Sequence, residues 1–192
     1  VRLVLASASP RRRELLGLLG LSFEVIPAEV DETVQPGESA QGYVERVCRL
    51  KAEAVTRQHP DAAVLAADTS VIVDGEILGK PGADPAAGAA MLRRLAGRAH
   101  DVLTAVAVAT TTATHAGLYR SRVTFRPLKP AEIAWYVGTG EGADKAGGYA
   151  IQGRAGAFIT SVEGSPTNVI GLPLAETVAL LRLAGVRLPL DG

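Results

Sequence analysis

The first apolar run, Val1 to Ala6, is broken only by Arg2 and predicts a buried strand. The small-residue turn Ser7-Ala8-Ser9 leads to Pro10, which suits the first position of a helix running to Leu19 and stopped by Gly20. Phe23 to Ile26 reads as a short strand. Val30 to Glu38 is polar, and Ser39 caps a helix from Ala40 to Gln58. Val64 to Val73 is a long apolar strand that Asp74-Gly75 folds back through Glu76 to Leu78. Asp84-Pro85 opens a helix ended by Gly97, and Val102 to Thr110 with Leu118 to Leu128 forms a second hairpin. Pro130 to Val137 reads as a helix, Tyr149 to Ile151 and Ala157 to Val162 as strands, and Pro173 to Ala184 as the last helix. Helices and hairpins interleave, which predicts an α/β fold with a mixed sheet and flanking helices.

Length and composition narrow this picture. A chain of 192 residues can bury one sizeable core. The formal net charge is zero and aromatics make up 4% of the residues, which argues against a nucleic-acid binder built on a basic field or stacking platforms. No apolar run approaches the ~20 residues of a membrane span, and the three arginines that close the N-terminal stretch are in the wrong order for a secretory signal. A lone cysteine, Cys48, excludes an internal disulfide and suits a reducing cytosol, so a cytoplasmic location is expected. Of the 20 basic residues only Lys51, Lys80, Lys129 and Lys145 are lysines, which marks each as a candidate point charge.

Several residues conflict with the elements that carry them. Arg11, Arg12 and Arg13 fall in the first turn of a helix, where the macrodipole disfavours cations. Free N–H groups, the Ser7 and Ser9 hydroxyls and guanidinium forks would together bind a phosphate chain; the other reading is a solvated arginine run. Lys51 shares the apolar helix face of Val44, Val47 and Val55, so it either snorkels past the core edge or points into a pocket holding negative charge. Asp68, followed by Thr69, interrupts the apolar strand; a carboxylate there is paired, metal-bound, protonated or held by backbone N–H groups. It is the first choice for a general base. Glu32, beside Asp31, reads by itself as an exposed acidic turn, but with Asp68 it could hold Mg²⁺ against phosphate oxygens. Lys80-Pro81 places a lysine at the end of a short strand, and Asp144 to Gly153 is a glycine-rich loop suited to close approach of a ligand. Gly164 to Pro173, with the only Asn, reads as a second such loop. Cys48 has no nearby His, the three histidines lack metal-ligand spacing, and neither a Walker loop nor Gly-x-Gly-x-x-Gly after a strand is present.

Leu5-Ala6-Ser7-Ala8-Ser9-Pro10-Arg11-Arg12-x-Glu14-Leu15-Leu16, Asp31-Glu32, Lys51-Ala52, Ala67-Asp68-Thr69, Gly79-Lys80-Pro81, Asp144-Lys145-Ala146-Gly147 and Gly171-Leu172-Pro173-Leu174 occur in order along nearly the whole chain. This set strongly resembles the Maf family of nucleoside triphosphate pyrophosphatases. The resemblance implies a single domain over 1–192 with a strongly twisted, ITPase-like sheet and two lobes around a nucleotide cleft. It implies metal-dependent hydrolysis of a nucleoside triphosphate to monophosphate and pyrophosphate, with Mg²⁺ or Mn²⁺ on Glu32 and Asp68. Asp68 would activate water, while Ser7, Ser9, Arg11, Arg12, Lys51 and Lys80 would bind phosphates. Arg11, Thr69 and Gln152 resemble the dTTP/UTP branch rather than the branch acting on methylated GTP, in which a carboxylate matches Gln152. An amide both donates and accepts, as the adjacent C=O and N–H of uracil or thymine require, whereas a carboxylate only accepts. Pro166 departs from the aromatic residue expected at its position. Inosine or 7-methylguanosine triphosphate hydrolysis, and a non-catalytic nucleotide-binding regulator of septation, are the alternatives; a homodimer is left open.

Overall fold

The structure, a computed structural model, describes residues 1–192. Seven strands form one sheet in the order β2-β1-β3-β5-β6-β7, with β4 paired to β3, and six α-helices connect or follow them. The strands are β1 (Arg2–Leu5), β2 (Glu24–Val25), β3 (Ala62–Val73), β4 (Glu76–Leu78), β5 (Ala99–Ala109), β6 (Thr114–Phe125) and β7 (Ile159–Glu163). The helices are α1 (Pro10–Gly17), α2 (Ala40–Gln58), α3 (Pro85–Leu95), α4 (Pro130–Gly138), α5 (Pro166–Ile170) and α6 (Leu174–Leu183). β1 runs parallel to both β2 and β3, whereas β4 and β7 pair antiparallel with β3 and β6, so the sheet is mixed as expected. No helix is long and apolar enough to cross a membrane.

Local sequence explains most element ends. Pro10, Pro85 and Pro130 each open a helix, where a missing N–H breaks no intrahelical bond. Ser39 caps α2 by accepting from the Gly42 N–H, and Asp84 caps α3 by accepting from the Ala86 N–H. Asp74 and Gly75 both have positive φ, 53° and 79°, the turn that folds β3 onto β4. Replacing Asp84 by Ala should therefore lower stability by about 1 kcal/mol, read as a shift in the urea midpoint at unchanged m-value.

The chain divides into two compact units. The first comprises Val1–Asp68, Thr104–Tyr119 and Gly171–Gly192. In it, residues 62–68 of β3 are buried without alternation, the pattern of a strand covered on both faces. α2 buries Val44, Val47, Cys48, Lys51, Ala52 and Val55, one helical face with a lysine in its middle. The second unit comprises Thr69–Leu103 and Arg120–Ile170. Its core gathers Val71, Leu92, Leu95, Val123, Phe125, Ile133, Tyr136, Tyr149 and Phe158.

Two expectations are corrected in the second unit. Tyr149–Ile151 is not a strand: a 3₁₀ turn over Ala146–Gly148 precedes it and a turn follows, because Gly147 and Gly148 have φ of 71° and 73°. Tyr149 is apolar in its packing rather than strand-like; its ring meets Phe125 edge-on and its hydroxyl lies 2.7 Å from His100 Nε2. The Gly164–Pro173 segment is not all loop, since Pro166–Ile170 forms α5 and the Asn168 N–H donates to Ser165 Oγ at 3.3 Å.

Candidate active site

Parallel pairing of β1 with β3 in the register Leu5↔Leu65 sets where both strands release their next residues. Ala6 N–H still donates to Leu65 O, so Ser7 leaves β1 at the same end at which β3 reaches Asp68. α2 supplies Lys51 from its buried face. Lys51 Nζ stands 2.9 Å from Asp68 Oδ1 and 2.8 Å from Glu32 Oε1, so one ammonium bridges two carboxylates from a strand and a loop. The Lys51 and Asp68 side chains are only 11% and 9% exposed, whereas Glu32 is 49% exposed. Lys51 does not snorkel past the core edge but ends on two carboxylates, and Asp68 is a paired buried carboxylate.

Burial, the largest influence, raises the Asp68 carboxyl above its ordinary 3.8 even though Lys51 and Arg12 pull it down. Glu32 adds a smaller upward push. A carboxylate biased toward accepting a proton and held beside a fixed ammonium can take a proton from a neighbouring group.

The strand–helix turn is more engaged than its sequence suggested. Ser7 is buried and its Oγ accepts from Ser9 N–H at 3.2 Å and from Arg12 Nη1 at 3.3 Å. Arg12 Nε also donates to Gly171 O at 2.8 Å. Burial lowers the Arg12 guanidinium from its ordinary value against the attraction of Asp68, which ties this cation electrostatically to the same site. The solvated reading of the arginine run therefore fails for Arg12. Ser9 is the residue before α1, and its side chain does not cap the helix. Arg11 is half-buried on α1.

The Glu32 loop is fastened by residues that sequence reading missed. Arg46 on α2 grips both Glu38 carboxylate oxygens, at 2.6 and 2.8 Å, and donates to Thr33 O at 2.9 Å. This bidentate pair holds Glu38 well below the usual carboxylate range, at about 2. Residues eight apart across a cap carry no periodic signal, so nothing in the spacing reveals this clasp. Tyr43, one turn before Arg46, is pushed up to about 12 by burial and by the Asp68 and Glu32 charges. Cys48 is buried with its thiol against Ala66 O and pushed up to about 12 by burial, an inert packing residue.

Thr69, Lys80 and Gln152 belong to the second unit. Thr69 is half-buried on β3, and Lys80 and Gln152 are exposed, the latter in a turn. Lys145 folds onto its own loop, donating to Glu141 O at 2.6 Å and Asp144 Oδ1 at 2.7 Å.

Comparison with known proteins adds to this geometry. Residues 2–184 match the family described as Maf-like protein. A protein of Myxococcus xanthus named dTTP/UTP pyrophosphatase is 55% identical over 189 residues, covering 97% of this chain and 94% of its own. Another of that name from Cupriavidus pinatubonensis is 53% identical, covering 96% and 98%. Among solved structures, the Ham1 protein of Staphylococcus aureus aligns with a TM-score of 0.45 at 19% identity, over 65% of this chain and 71% of that one.

Proposed function

The chain belongs to the Maf family, and we propose from that premise that it is a nucleoside triphosphate pyrophosphatase hydrolysing dTTP and UTP to the monophosphate and pyrophosphate. Near full-length similarity to relatives bearing that name supports the reaction. The observation that carries the chemistry is the buried Asp68 carboxylate, raised by burial and fixed at 2.9 Å from the Lys51 ammonium.

In this mechanism Asp68 takes a proton from a water whose oxygen attacks the α-phosphorus. The bond from that phosphorus to the oxygen bridging the β-phosphate breaks, and pyrophosphate leaves with the electron pair. Positioning and charge neutralisation dominate phosphoryl chemistry of this kind. Lys51 and Arg12 supply fixed positive charge next to Asp68, and Ser7 and Arg11, in the strand–helix turn of the same unit, would bind the phosphates.

A divalent cation, Mg²⁺ or Mn²⁺, is part of the proposal. Two hard-oxygen donors, Asp68 and Glu32, lie close to one another because both pair with the Lys51 ammonium, while no group of three or more His, Cys, Asp or Glu that could hold a metal is present. Two carboxylates plus phosphate oxygens match how Mg²⁺ is ordinarily held, so the residues fit a cation that arrives with substrate. Bound there, it would neutralise phosphate charge.

Base choice is assigned to Gln152 and Thr69, with Lys80 on phosphate; the support is the amide chemistry and motif positions rather than a contact. A panel of UTP, dTTP, CTP, GTP, 7-methyl-GTP and ITP with Mg²⁺ or Mn²⁺ tests the whole reading. Pyrophosphate from UTP and dTTP, abolished by chelation, is the expected result. Purine-only turnover would keep the chemistry and sink the base assignment, and UTP binding without turnover would leave a non-catalytic nucleotide binder. Gln152→Glu should lower kcat/KM for UTP at least ~10-fold, since an acceptor-only group loses the partner for the base carbonyl.

A further inference from the structure

Gln152 occupies a turn closed by Gly153 N–H donating to Ala150 O at 3.1 Å, within the glycine-rich segment that the mechanism leaves unexplained. One carboxylate braces this turn. Both oxygens of Glu141, a side chain only 18% exposed, accept from the Arg154 backbone N–H, at 3.1 and 2.9 Å. The Tyr136 hydroxyl, which feels the charge of the same carboxylate, accepts from Ala150 N–H at 3.0 Å. The backbone is thus tied two residues before Gln152 by Tyr136 and two residues after it by Glu141.

Glu141 is itself anchored. Its N–H donates to Thr139 Oγ1 at 3.2 Å, and its carbonyl accepts from Lys145 Nζ at 2.6 Å. Tyr136 is buried in the core of the second unit, its ring edge-on to Phe158. Gly153 reports the closeness of the fit: a Cβ there would lie 2.5 Å from the Glu141 carboxyl carbon and both its oxygens. The φ of Gly153 is −105°, so its backbone does not forbid alanine. The carboxylate is what a methyl group would displace.

We propose that Glu141 is a positioning residue for base selection: with its backbone anchored by Lys145 and Thr139, its carboxylate fixes the Arg154 end of the Ala150–Arg154 turn and so the backbone from which the Gln152 amide is presented. This gives Lys145 an anchoring role on its own loop. The inference rests on the reading that Gln152 selects the base.

Two unrelated substitutions test it. Glu141→Ala removes the brace, and Gly153→Ala pushes it aside while leaving Glu141 in place. UTP and CTP are compared because they differ at the carbonyl that an amide N–H would recognise. Gln152→Ala, the reference, should lower the UTP/CTP ratio of kcat/KM, and Glu141→Ala and Gly153→Ala should each lower it at least about fivefold, mainly through KM for UTP. Glu141→Gln, which keeps an accepting oxygen for the Arg154 N–H, should recover most of the ratio. Thermal melts identify any variant that loses its fold, and Gly153→Ala retains every side chain of the brace. A ratio that changes in Gln152→Ala but not in Glu141→Ala or Gly153→Ala overturns the positioning role alone. A ratio unchanged in Gln152→Ala overturns the base reading, and the role of Glu141 in selection with it.

Discussion

Asp68→Asn is expected to lower kcat by about 10²–10⁴-fold, the usual contribution of a general base, while UTP binding stays nearly intact. The amide is isosteric and keeps an oxygen for the Lys51 ammonium, but it cannot accept a proton at neutral pH. Stability should move the other way. A carboxyl whose native pKa is raised binds its proton more tightly folded than unfolded, so its stabilising share is present below the ordinary 3.8 and is lost as pH rises through the raised value. At neutral pH the ionised Asp68 is therefore less favourable to folding than its protonated form, and a neutral amide avoids that cost while Lys51 keeps Glu32 as its ionic partner at 2.8 Å. A melting temperature that holds or rises as turnover collapses is the expected pair of readings; turnover within tenfold of the unmodified protein overturns the assignment. The same shift sets the pH profile: kcat should fall on acidification with an apparent pKa above 3.8, and this limb should be missing from the residual rate of Asp68→Asn.

What the sequence disclosed about this site follows from how locally each feature is determined. Lys51 on an apolar helix face and Asp68 in an apolar strand were visible as charges in the wrong place, because burial follows from periodicity alone. Their meeting was not, since it depends on how α2 packs against β3. Glu32 was harder still: its place beside Lys51 depends on a loop held by Arg46 and Glu38, a pair without a periodic signature. Caps and tight turns were legible at Pro10, Ser39, Asp74-Gly75 and Asp84, where the residue itself dictates the backbone. Tyr149–Ile151 misled because its apolar residues serve an aromatic cluster with His100 and Phe125 rather than a sheet. In α5 the signal was present, a Ser165-Pro166 start with Ser165 Oγ accepting from Asn168 N–H, but asparagine and the flanking glycines masked it.

Lys51→Met should destabilise the protein by about 3 kcal/mol at neutral pH, the lower end of what breaking a buried ion pair entails, and should also depress turnover. Methionine fills much of the same space on α2, so the loss is electrostatic: Asp68 keeps a buried charge with its nearest counterion gone. Lys51 is among the groups that hold the Asp68 pKa down, so its removal drives that pKa further up. Two signs follow. The acid limb of kcat should move to higher pH, and the destabilisation should shrink as pH falls, because a protonated Asp68 no longer needs its partner. Adding Asp68→Asn removes the orphaned charge, and the double variant should be more stable than the sum of the two single changes predicts, by 1 kcal/mol or more for residues in direct contact. Additive effects with an unmoved acid limb would mean that the Lys51 ammonium does not govern the ionisation of Asp68. The coupling would then have to be sought in Arg12, the other cation that the Asp68 carboxylate feels.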